Sequence, residues 1–252
     1  VRLLRKSFPF VVGIASYFLI KALFFDTAAA KVADARQLDQ ALLQAEQGEL
    51  FQVIKSDFRE EFQVFIEVLA VEAGQKHSNK RQRSLAIQTT SREFTAGLRR
   101  QNAHYLKHAP AELLVAQQAS KLALMLTMQD DDALCTRFVN YGAAGLTESE
   151  MNAERLSILA KGSVLFFKSI AAGRDHPVQR TGATQADYIA FLTEWSDQPE
   201  VTSDMYEVLI QNDATSDTFC SSMTSFQRFV TSAKGQSAER VLADLSAEAD
   251  SN

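Results

Sequence analysis

Two histidines, His104 and His108, stand four residues apart in the segment HYLKH, the spacing at which an α-helix presents both rings on one side. That is half of a zinc site. The hydrolytic version needs Glu directly after the first His, where this chain has Tyr105, and the sequence supplies no third ligand. Asp175 and His176 pair a carboxylate with a base in the polar stretch 173–182 (GRDHPVQRTG), but no Gly-x-Ser-x-Gly elbow sets up a nucleophile for them. The carboxylates Glu60, Glu61, Glu67 and Glu72 lack the Glu-x-x-His partners of a carboxylate metal bundle. Phosphate-cradling glycine loops are absent too, so neither a metal nor an organic cofactor is expected.

Residues 142–146 (GAAGL) carry a five-residue piece that resembles the GxxGL stretch of lytic transglycosylases, which cleave peptidoglycan. In that family the catalytic Glu–Ser precedes the GL pair, whereas Glu148–Ser149 follows it here. Thr147 and Glu150 fit a capping box instead, opening a helix that runs to Ala172 with Gly173 as its stop. Cys135 and Cys220 belong to no CxxC and have no nearby His. In an oxidising compartment they make a disulfide tying two helices together.

The compartment is indicated by the first thirty residues. Arg2, Arg5 and Lys6 precede the apolar run 8–25 (FPFVVGIASYFLIKALFF), and Ala28, Ala29 and Ala30 follow it. A basic flank, an apolar core and small residues in that order describe either an export signal cleaved near Ala30 or a retained membrane anchor. Lys21, four residues from the outer end of the run, can snorkel to the headgroups if the segment spans. The positive-inside rule then places the N-terminus in the cytoplasm and the body outside. Val1 stands where a start Met is expected, consistent with a GTG codon read literally or with trimming.

These groups must be positioned by helices. Gly and Pro together number fourteen in 252 residues, too few for the tight turns of an all-β protein, and no stretch alternates with period two. The expected fold is all-α: a signal or anchor helix (1–30), a long antiparallel helical hairpin (31–109), a compact helical bundle (110–247) and a loose tail (248–252). In the first hairpin arm Phe51, Ile54, Phe58, Phe62, Phe65 and Leu69 recur at helical spacing, with Gly48 as a divider and Gly74 as a stop. Ser78 or Asn79 caps the second arm, which runs to His108; Pro110 opens the next helix at its first turn. The stretch 112–129 reads as apolar along one side, and 163–173 is apolar enough to be the core helix of the bundle.

Charge is segregated along the chain. Residues 26–75 carry ten acids and four bases, whereas residues 76–108 carry eight bases and one acid, Glu93. Lys80, Arg81, Arg83, Arg92, Arg99 and Arg100 form a candidate basic face for an anionic partner, unless they only face water and the acids of the first arm. Nucleic acid is disfavoured by the acidic whole and by the lack of interleaved aromatics that would stack bases. The reading that follows is a non-catalytic binding protein of the bacterial cell envelope: an inhibitor or immunity protein, an assembly factor or a folding helper, with another envelope protein as partner. It would be periplasmic or on the extracytoplasmic face of the inner membrane. The alternative is an envelope hydrolase acting on peptidoglycan or lipid, with its site in the bundle.

Overall fold

The computed structural model describes residues 35–44, 48–75 and 79–248. The apolar run 8–25, the alanines 28–30 and the tail residues 249–252 lie outside them, as do the side chains of Lys80 and Glu248. Within the described residues the chain is helical throughout, with no strand, and divides into two compact units, 35–101 and 102–248.

The first unit holds α1 (Ala35–Gln44), α2 (Gly48–Asp57), α3 (Arg59–Gly74) and all but the last residue of α4 (Lys80–Asn102). The phenylalanine-rich seam is its core: Phe51, Ile54, Phe58, Phe62, Phe65 and Leu69 are all buried. Phe65 stacks on Phe51 from one side, with ring centroids 6.0 Å apart, and on Phe94 of α4 from the other at 4.2 Å. Helix α1 packs on both α2 and α3, and the Lys55 ammonium reaches Asp39 of α1 at 2.6 Å. At Phe58 the backbone leaves helical values, yet the ladder carries through it, from the Phe58 N–H to the Ile54 carbonyl and from the Phe62 N–H to the Phe58 carbonyl. Asn79 supplies the expected cap, its side-chain oxygen accepting from the Gln82 N–H at 2.9 Å.

The second unit is a helical bundle around α5 (Ala111–Leu126), which packs against α6 (Asp132–Tyr141), α7 (Ala153–Asp175), α10 (Phe219–Ser232) and α11 (Gln236–Glu248). Helix α8 (Gln185–Ser196) leans on α11, and α9 (Ser203–Gln211) on α10. Helix α7 is long and apolar enough to cross a membrane by length and composition, but Val164, Phe166, Phe167 and Ile170 are buried, and the helix packs on α5 and on the segment 103–108. Cys135 of α6 and Cys220 of α10 stand at disulfide distance, with Cα atoms 5.8 Å apart and both residues buried.

Four local expectations need correction. The second arm does not stay α-helical to His108: it ends at Asn102 and tightens into a 3-10 turn, Ala103–His108. Pro110 occupies the cap position in front of α5, with the Leu113 and Leu114 N–H groups donating to its carbonyl. The Thr147–Glu150 capping box exists, but it closes a separate short 3-10 turn, and α7 begins later, capped by Asn152. Nor does Gly173 stop α7, which continues to Asp175. A Cβ at Gly173 would lie 2.1 Å from the Tyr105 carbonyl oxygen, so glycine is needed there for the close approach of the 3-10 turn.

The N-terminus of α8 is fastened to α11 through Asp187. Its carboxylate accepts from Thr184 in a capping box, from Ser237 at 2.7 Å and from Arg240. The Arg240 guanidinium foremost, then the Thr184 and Ser237 hydrogen bonds, hold the Asp187 carboxyl well below the usual carboxylate range.

Candidate functional site

The 3-10 winding decides the histidine pair. In an α-helix residues four apart share a face, but at about three residues per turn they point roughly 120° apart. His104 is exposed and lies against the Tyr105 ring, whereas half-buried His108 faces the Val178 carbonyl at 3.3 Å through Nδ1. Among the described residues no group of three metal-ligating side chains forms around them or elsewhere. The polar loop holding Asp175 and His176 is pinned to the same turn: the Val178 N–H donates to the His108 carbonyl, and Arg180 to the carbonyls of Lys107 and Ala109. Asp175 pairs with its neighbour Arg174, whose hydrogen bond lowers the carboxyl's proton affinity. Glu148 and Ser149 sit in the capped turn, where Glu150 binds Arg137 and the Thr147 N–H.

Of the basic residues, Arg81, Arg92 and Arg100 are exposed on α4 and Arg83 is half-buried. Arg99 points inward, alongside buried Ser84, Gln88, Ser91 and Thr95. Burial, with the Arg100 charge second, pulls the Arg99 guanidinium down to about 9. Among the described side chains of these candidates, the fully exposed ones are three arginines spread over twenty residues of helix.

The same helix contributes to a feature that charge patterning alone did not indicate. Between α3 and α4 runs an open groove of about 520 Å³. Its walls are Val64, Phe65 and Val68 from α3 and Phe94, Gly97 and Leu98 from α4, with Glu60, Glu61 and Glu93 along the rim. Val64 and Val68 are 59% and 50% exposed, and Val71 extends the stripe one turn further at 67%. Large apolar side chains left in water at i, i+4 and i+7 are a strip that a partner can cover. The sequence did carry a signal: Val64, Val68 and Val71 recur at helical spacing beside the phenylalanine seam, on a flank that the seam alone does not need.

Gly97 lies inside α4, five residues before its C-terminal end, and lines this groove, and a Cβ there would meet nothing within 4 Å. Packing within the chain does not call for glycine at this position, and mid-helix glycine costs about 1 kcal/mol relative to alanine. Gly97→Ala is accordingly expected to stabilise the chain by about 1 kcal/mol in urea unfolding.

The bundle contains a second feature hidden from a simple apolar reading. On α5 the buried stripe is Leu114, Gln117, Gln118, Lys121, Leu124 and Met125, so amides and a lysine amine lie inside the core. Gln118 donates to Ser246 Oγ at 3.0 Å, and Gln227 donates to the Gln118 carbonyl and side-chain oxygens at 3.0 and 2.9 Å. Burial lowers the proton affinity of Lys121 well below its usual 10.5. The unfolded chain then holds that proton more tightly than the folded one, so this residue makes stability rise as pH climbs from the depressed value toward 10.5. Lys121→Met removes this titration, so its stability relative to wild type is expected to be greatest at neutral pH. The gap between variant and wild type should close as pH approaches 10.5, which urea titrations across that range would show.

In comparisons with known proteins, no family model, no curated protein and no solved structure matches the chain.

Proposed function

We propose that this chain is a non-catalytic binding protein of the bacterial cell envelope, directed there by residues 1–30 and engaging another envelope protein through the groove between α3 and α4. In this reading α3 and α4 are the two arms of a helical hairpin that presents the groove. The observation that carries the proposal is the groove itself: an apolar channel with half-exposed valines along one wall and a glycine in the other. The location is supported by the basic-flanked apolar run at 8–25 and by two buried cysteines at disulfide distance, a pairing that persists in oxidising compartments.

The test is site-specific photo-crosslinking in intact bacteria that express the full chain. A benzophenone residue at Val68 should give a discrete adduct with one envelope protein. The same residue at exposed Arg228, on α10, should not. Absence of an adduct at Val68, or the same set of adducts from both positions, removes this reading. Intact-mass measurement of membrane and soluble fractions tests the location: protein found only in the cytosol, with residues 1–30 intact, would refute the envelope assignment.

A further inference from the structure

Resting on the docking role assigned to the α3–α4 groove, we infer that its occupant is a basic amphipathic helix of the partner protein. Three observations point to that chemistry. The groove-lining positions of α4 run from Thr90 to Gln101, so the channel is about 16 Å long at 1.5 Å per residue. That length accepts about three turns of helix. Its walls offer Val64, Val68, Phe94 and Leu98 to an apolar face repeating at i, i+3, i+4 and i+7, the pattern by which helices seat in hydrophobic grooves. Among the described residues that line it three are carboxylates, Glu60, Glu61 and Glu93, and none is a base. A cationic flank on the incoming helix is therefore attracted and an anionic one repelled.

Gly97 completes the fit. In the α4 wall it leaves room for the partner's backbone to approach, as small residues do where helices pack closely. A Cβ there meets nothing in the chain, so a larger side chain can extend from α4 into the channel, and a urea unfolding curve of the variant tells blockage from misfolding.

The probe is a fluorescent three-turn peptide with leucines at i, i+3, i+4 and i+7 and lysines on both flanks, titrated into the full chain and read by polarisation. Two companion peptides replace lysine by glutamate or scramble the leucine positions. The lysine peptide should bind at least tenfold more tightly than either companion. Its advantage over the glutamate peptide should shrink in high salt and in the Glu60→Gln/Glu61→Gln/Glu93→Gln variant. Gly97→Trp should abolish binding, while Gly97→Ala, smaller and helix-favouring, should keep most of it. Binding that ignores peptide charge would overturn the basic-helix inference yet leave the docking role standing, provided Gly97→Trp still blocks it. Binding unchanged by Gly97→Trp, or no binding of the lysine peptide, overturns the inference; the Val68 crosslink then decides separately whether the groove docks a partner at all.

Discussion

Breaking the Cys135–Cys220 link should lower the stability of the 102–248 unit by about 4–5 kcal/mol, the chain-entropy value for a closed loop of this length. The bond would join residues 85 apart and enclose α7, α8 and α9, so in the unfolded chain it removes a large set of conformations. Both cysteines are buried, so Cys→Ala at both positions adds a small packing loss and leaves no orphaned hydroxyl. Guanidinium unfolding with and without reductant measures the effect. The wild type should shift on reduction by roughly 10–15 °C in a parallel thermal scan, and the double-alanine variant should not respond to reductant. A reductant-insensitive wild type would show that the two thiols are not bonded in the isolated protein.

Trp195→Ala should cost about 3–5 kcal/mol, the range for emptying a buried aromatic site. Trp195 is fully buried on α8, edge-on to Phe226 at 5.5 Å and stacked over Tyr206 at 6.3 Å. Its indole N–H donates to Ser225 Oγ at 3.2 Å, so truncation also strands a buried hydroxyl. Trp195→Phe keeps most of the ring contact and loses the donor, and should cost on the order of 1–2 kcal/mol. Because this is the chain's single tryptophan, its emission reports the same core directly. The folded protein should emit at short wavelength and resist acrylamide, and should lose both properties in one transition with the far-ultraviolet dichroism. Emission typical of exposed indole in the folded protein would contradict this packing.

Much of the helical architecture is legible in the amino-acid sequence. The Phe51–Leu69 seam and the Asn79 cap each rest on residues within a turn or two of one another. Periodicity and capping are local, so spacing alone reports them. The cysteine pair was the one long-range contact open to sequence reasoning, because an even count in an oxidising compartment leaves a single pairing. Other features depend on what comes near a residue from far along the chain. Gly173 reads as a helix stop until the Tyr105 carbonyl arrives beside it from 68 positions earlier. Arg99 sits in a basic run by sequence but faces inward by rotation around α4. Gln117, Gln118 and Lys121 fall in an apolar stripe by register, and partners such as Ser246 and Gln227 meet Gln118 only in the folded bundle.

By itself, then, the sequence determined that this protein is helical, where most of its helices run, and which two cysteines can pair, since all of these follow from hydrophobic period, cap chemistry and count. Tertiary structure decided the rest. It turned His104 and His108 apart by winding their segment as a 3-10 turn, and it left a valine stripe open opposite Gly97 by holding α3 and α4 together through Phe65 and Phe94. A groove is the space between two surfaces, and its existence depends on the distance between helices, which no residue spacing within either of them encodes.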